Sequence, residues 1–400
     1  MMQNVKETIE QFLGRKLHIL RPFEGTQVEF CDSLSKALFA QPGIRDYPDL
    51  AALAFWLRKG HVEELKERFA SMPDRRQILV PRGIAFHIPP RNVETMFVYS
   101  WILSLLTGNA NIVRLPTKQS PTYDLLFGIL QEVMQRVEFH KIQEMTCLIS
   151  YGHEEEITSF ISAHADIRVI WGGDETIKAI RQFPLKVNGK EMVFADRFAY
   201  GAIHSFRYLQ AESEERQQLA RDFYRDVFWY DQGACSSPRM LIWTGPHEST
   251  KDASHDFYRR LHKVLEEKSF SFLLGTVLQK QTQVYSNALD IDIDAVQSYG
   301  NALTVIKLYH FDPRCREHGG GGLLYHLALE DLKEMVHFVN DKDQTLVYYG
   351  YELEDLFRLA EKLNGRGLDR IVPIGRALNF DYIWDGYDML AEFTRRIQIE

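Results

Sequence analysis

One cysteine in this chain of 400 residues stands in a setting that suits nucleophilic chemistry. Cys235 lies in "FWYDQGACSSPR", with aromatics before it and small residues on both sides. A thiol must be reached to react, and Gly233, Ala234, Ser236 and Ser237 leave its sulfur poorly covered. Backbone N–H groups at such a turn can stabilise a thiolate and an oxyanion developing on an attacked acyl carbon. The ordinary alternative is a buried, inert thiol, since cysteine is among the most buried residue types. Local sequence leaves both readings open. Cys147 inside a strand, and Cys31 and Cys315 on polar stretches, read as structural.

Three other places carry candidate chemistry. Asn92, in "HIPPRNVE", follows an apolar run through a proline-stiffened turn, where open α/β sheets place ligands. Its side-chain amide can donate to an oxyanion or satisfy its own backbone. Arg114 and Lys118, in "VRLPTKQSP", put cations after a second apolar run; they suit a nucleotide's ribose and phosphates, or are ordinary surface charge. Gly172 and Gly173, in "VIWGGDE", allow a pyrophosphate to approach a helix N-terminus, or form a tight turn. No G-x-G-x-x-G, Walker, H-E-x-x-H or G-x-S-x-G motif occurs, and the 14 histidines show no metal-ligand spacing. The run "GGGG" at 319–322 reads as a mobile surface loop.

The elements that must position these residues follow from periodicity. Residues 1–75 read as helical and polar. From 76 the pattern becomes short apolar strands alternating with helices: "ILVPRGIAFHI", an uncharged helix at 95–106, "NIVRLP", a helix opened by Ser120-Pro121, "MTCLIS", "EEEITSFISA", "IRVIWGG" and "DETIKAIRQF". That alternation predicts a parallel, doubly wound α/β domain at 76–205. It resets near 205, which predicts a second α/β domain at 206–375 and a returning strand in 376–400.

Composition bounds the class. With 45% hydrophobic and 26% charged residues the chain reads as an ordinary globular protein, and its length predicts two domains. A net charge of −8 without a basic block argues against nucleic-acid binding. Scattered cysteines fit a reducing compartment, and the charged N-terminus has no signal-peptide pattern, so a cytoplasmic location is expected. The apolar part of residues 95–113 is too short to cross a bilayer and reads as a buried helix.

Taken together, "GIAFHIPPRNVE", "LLTGNANIVRLPTKQSP", "VIWGGDETIKAIR", "FWYDQGACSSPR" and "DRIVPIGRALNFDYIWDG" resemble the acyl-CoA reductase family of bacterial luminescence operons (LuxC), a branch of the aldehyde dehydrogenase superfamily. The resemblance covers about residues 76–400. It implies an aldehyde-dehydrogenase-like fold: an NAD(P)-binding domain, a catalytic domain and a small strand-rich oligomerisation element, hence a homo-oligomer. It implies Cys235 as nucleophile and Asn92 as oxyanion donor. Arg114, Lys118, Gly172 and Gly173 would bind the cofactor, with Glu317 at the nicotinamide ribose.

Two departures sharpen the expected reaction. Hydrolytic members carry a glutamate base in a Glu-Leu-Gly-Gly block; here the equivalent stretch is "MVFADRFAYGAI", with Phe194 or a neighbour at that place and Glu191 off register. Lacking that base, an acyl-enzyme resists water, which suits reduction. NAD-preferring members carry a ribose-holding glutamate where this chain has "PTKQ", so NADPH is expected, with no metal. The expected reaction is NADPH-dependent reduction of an acyl-CoA or acyl-carrier-protein thioester to the aldehyde, with an acyl-protein synthetase as a possible partner. The alternatives are a hydrolytic aldehyde dehydrogenase, an acyl-phosphate reductase, or a non-reducing acyl-relay subunit.

Overall fold

The computed structural model describes residues 2–15, 19–90, 93–117 and 120–400. The chain forms two compact units, Met1–Ala195 with Phe380–Glu400, and Asp196–Asn379. The division thus falls about ten residues before the sequence reset near 205, and the N-terminal helices belong to the first unit.

In the first unit, Gln77–Pro81 (β1) precedes five strands: Ile84–Ile88 (β2), Ala110–Leu115 (β3), Thr146–Ser150 (β4), Ile167–Trp171 (β5) and Lys190–Phe194 (β6). These five form one parallel sheet in the order β4-β3-β2-β5-β6. Helices cover both faces of such a sheet, so its central strands are apolar throughout; β5 is buried along its whole length. The helix Pro121–Met134 starts where Ser120 Oγ accepts the Tyr123 N–H at 3.1 Å, with Pro121 in its first turn. From β2 the chain winds outward through β3 and β4, then returns to the other side of β2 for β5 and β6. The carboxyl ends of β2 and β5 therefore flank a topological switch point.

The uncharged helix Met96–Leu106 is buried from Phe97 through Leu106. It is apolar on every face because the N-terminal helices enclose it: Phe30 meets Trp101 edge-on at 5.8 Å, and Gln27 Nε2 donates to Leu105 O at 2.7 Å. Among the described residues, no helix is long and apolar enough to cross a membrane.

The second unit holds Phe198–His204 (β7), Pro238–Thr244 (β8), Ile293–Tyr299 (β9), Leu303–Leu308 (β10), Leu323–Leu329 (β11), Asp343–Tyr349 (β12) and Arg370–Pro373 (β13). Their order is β13-β12-β7-β8-β11-β10-β9, parallel except for edge strand β9, which runs antiparallel to β10. Alternation along β8 splits the core into two layers: Met240 and Ile242 face one cluster, Leu241 and Trp243 the other. The chain then returns to the first unit through the hairpin Ile383–Trp384 (β14) and Tyr387–Asp388 (β15), and Thr394–Gln398 (β16) pairs antiparallel with β1.

Buried titratable groups in the second unit act in opposite senses. His326, bonded to the Tyr258 hydroxyl at 3.1 Å, has its pKa pushed down from 6.5 to about 3, first by burial. Its contribution is present above pH 6.5 and is lost as pH falls toward 3. Asp226 accepts the N–H groups of Gly375 at 2.6 Å and Ala377 at 3.0 Å, yet burial pushes its carboxyl up from 3.8 to about 7. Its contribution therefore falls as pH rises from 3.8 to 7, partly cancelling the histidine. Asp226→Asn is expected to steepen the loss of Tm on acidification from pH 6.5 to 4, a difference that thermal unfolding at several pH values measures.

Candidate active site

The helix Ser213–Phe228 drives Phe223, Val227 and Phe228 into the core and then stops. The chain reverses through Asp231 and Gln232, whose φ values of 50° and 61° lie in the left-handed region that residues other than glycine rarely adopt. The loop that follows carries Cys235 and feeds the amino end of β8. Cys235 is partly exposed, whereas Cys31, Cys147 and Cys315 are buried, and none forms a disulfide. Burial pushes the Cys147 and Cys315 thiols up to about 12, and Cys31 higher still, which keeps them protonated and inert. Of the four cysteines, Cys235 alone is not buried.

Arg239, four residues further on, lies largely within the fold and donates to Arg197 O and Gln232 O, both at 3.4 Å. Burial lowers its pKa, while Asp196 and Cys235 pull it back up. Cys235 thus lies within electrostatic reach of the Arg239 guanidinium.

The glycine run is an ordered part of this site, which corrects the expectation of a mobile loop. Gly320, Gly321 and Gly322 take φ values of 75°, 70° and 73°. Gly322 is buried, and its N–H donates to Gln232 Oε1 at 2.8 Å. A Cβ on Gly322 would lie 1.9 Å from Ala302 O, and one on Gly320 3.0 Å from Asp231 O. Glycine is required here by both backbone angle and contact. Glu317, just before the run, is exposed, and its carbonyl accepts from Gln283 Nε2. Gln283 Oε1 in turn takes the Gly319 N–H at 2.8 Å. Cys235, the glycines and Glu317 thus gather at the amino ends of neighbouring strands β8 and β11.

In the first unit, Arg114 near the end of β3 stacks over the Tyr151 ring at 4.6 Å and donates to Gly152 O. Gly172 closes β5 by donating to Phe194 O at 3.0 Å, and Gly173 caps the helix Asp174–Arg181. Nothing lies within 4 Å of a Cβ placed on Gly173, so a ligand has room at that helix start. Asp174 and Glu175 in the first turn oppose a phosphate there; Arg114 supplies a cation near the carboxyl end of β3, which β2 separates from β5. An open backbone at the switch point and a strand-end cation fit a nicotinamide dinucleotide. Asn92 and Lys118 lie outside the described residues.

Phe194 ends β6, buried and stacked on Trp171 at 3.7 Å. Glu191 is committed elsewhere: it pairs with Arg168 at 2.5 Å and with Arg181 at 2.7 Å, and Arg168 is only 3% exposed. Glu191→Ala is expected to destabilise the protein by about 3 kcal/mol, because it strands a buried guanidinium. Turnover per folded molecule should stay near wild type; unfolding curves beside initial rates check both.

Gln232 and Arg239 went unmarked by motif reading. The only sequence signal for either was a long polar side chain within a few residues of Cys235, which does not reveal what it bonds.

The fold is that of the aldehyde dehydrogenases. Betaine aldehyde dehydrogenase from Staphylococcus aureus, solved in complex with NAD+, superposes with a TM-score of 0.66 at 13% identity, covering 99% of this chain and 86% of that one. A lactaldehyde dehydrogenase gives 0.69 at 11% identity, covering 99% and 90%. Within that fold, residues 60–302 match the acyl-CoA reductase (LuxC) family, and the chain belongs to it. The long-chain acyl-protein thioester reductase of Aliivibrio fischeri is 26% identical over 315 residues, and that of Vibrio harveyi 22% over 307. Each match covers 74% of this chain, which spans 59% of the length of these relatives.

Proposed function

We propose that the chain reduces a fatty acyl thioester to the aldehyde, with Cys235 carrying the acyl group between two half-reactions. The observation that carries this reading is one reachable thiol on a loop pinned to a glycine run, beside three buried and inert ones. The Cys235 thiolate adds to the thioester carbonyl, the carbon–sulfur bond to the carrier breaks, and the carrier leaves as its thiol. Asn92 and the Cys235 backbone N–H are assigned to the tetrahedral oxyanion. Arg114, Lys118, Gly172, Gly173 and Glu317 are assigned to NADPH, because "PTKQ" has a cation in place of the carboxylate that would repel a 2′-phosphate. Reduced nicotinamide bound there would supply hydride to the acyl carbon. Cys235 then departs as thiolate while the aldehyde forms.

Reduction is favoured over hydrolysis because Phe194 or a neighbour aligns with the water-activating glutamate of hydrolytic members, Phe194 is stacked on Trp171, and Glu191 is held by two arginines. The relatives' names favour an acyl-protein carrier beside acyl-CoA; an acyl-protein synthetase is the partner proposed to load that carrier. The ribbon of β1 and β16 exposes Ile78 and Ile397, and Ile399 just beyond it is exposed too, which supports the proposal of an oligomerisation element.

Purified protein mixed with NADPH and a fatty acyl-CoA, or a fatty acyl-protein, is expected to lose reduced-nicotinamide absorbance as aldehyde appears. NADH should serve less well. Asn92→Ala should lower kcat about a hundredfold, as loss of an oxyanion donor does. Release of free acid in place of aldehyde would contradict the proposal.

A further inference from the structure

Gln232 is buried to 1% exposure just before the small residues 233–237, and it spends its whole amide on that loop's surroundings. Its Oε1 accepts the Gly322 N–H at 2.8 Å. Its Nε2 donates to Leu323 O at 2.8 Å and to Pro238 O at 3.4 Å. Its backbone N–H donates to Val227 O at 2.9 Å, and its carbonyl accepts from Arg239 at 3.4 Å. The side chain therefore cinches the loop at its base, joining residues 232 and 238 on either side of Cys235, and ties it to the glycine run on β11. Residues 231 and 232 hold left-handed angles while it does so. Such strain persists only where the surroundings over-determine it.

We infer that Gln232 is a positioning residue: it fixes the Cys235 loop against the glycine run and so sets where the thiol meets an acyl carbon. This rests on the acyl-transfer role proposed for Cys235. An amide is required because both a donor and an acceptor are used; methionine matches its length and supplies neither.

Gln232→Met is tested against wild type with NADPH and a fatty acyl-CoA, alongside hydrogen exchange of the 320–323 backbone amides. The expected result is a kcat per folded molecule about a hundredfold lower, as for an ångström-scale misplacement of a reacting group, with KM little changed. In the wild type the Gly322 amide should be protected like the strand it precedes, and in the variant it should exchange faster. A variant that loses Tm yet keeps wild-type kcat per folded molecule overturns the inference, leaving Gln232 merely structural. Should the variant not fold, the wild-type exchange decides: a Gly322 amide as unprotected as the exposed Leu273–Leu274 segment overturns the tie. A wild-type protein that reduces no acyl thioester contradicts the proposed reaction, and the exchange contrast still judges Gln232.

Discussion

Alanine in place of Cys235 is expected to abolish thioester reduction, lowering the rate by at least about a thousandfold, because the proposed reaction routes the acyl chain through this thiol. The magnitude follows from the fate of the other thiols. Cys31, Cys147 and Cys315 are buried and held protonated, so none can take over. Cys235 is only partly exposed at a loop between two core elements, so the substitution removes little packing and Tm should move by no more than a few degrees. Rates from nicotinamide absorbance, set beside a melting curve of the same sample, separate chemistry from folding. A variant that keeps the wild-type rate contradicts the assignment.

The second large effect belongs to Gly322→Ala. A methyl group there meets Ala302 O at 1.9 Å and the Phe272 ring at 3.0 Å, at a φ of 73°. Left-handed strain and overpacking each cost about 1 to 3 kcal/mol, so a loss of about 2 to 6 kcal/mol is expected. The Gly322 N–H also binds Gln232, so any folded fraction should turn over more slowly than wild type. Gly275→Ala is the control: it lies in the helix Leu274–Asp290 with nothing within 4 Å of its new Cβ. It is expected to stabilise by up to about 1 kcal/mol. Chemical denaturation of the two variants gives the comparison.

Much of the architecture was legible because strands and helices announce themselves by period. Ser120-Pro121 marked a helix start, and short apolar runs marked β3, β4 and β5. The uncharged segment 95–106 read as a core helix because it was too short to span a bilayer, and the N-terminal helices do enclose it. What pattern could not deliver was pairing between distant residues. The run at 319–322 looked like a flexible loop because four glycines permit almost any path. Its actual path is set by Gln232 and Ala302, which lie 90 and 20 residues before Gly322. The strand-end rule that singled out Arg114, Gly172 and Asn92 also has no bearing on Cys235, which precedes its strand. Company in sequence, not position in a sheet, marked that thiol. Phe194 likewise could be aligned to the missing base, but only the fold reveals that Glu191 is tied to Arg168 and Arg181.

The central claim is an acyl group held on Cys235, and the most direct measurement is mass spectrometry of the intact protein after mixing with a fatty acyl-CoA in the absence of nicotinamide. The account predicts one added acyl mass, mapped to the peptide containing Cys235, absent from Cys235→Ala, and discharged as aldehyde when NADPH is added. An unlabelled protein that still makes aldehyde, or a label that maps to another residue, would contradict it.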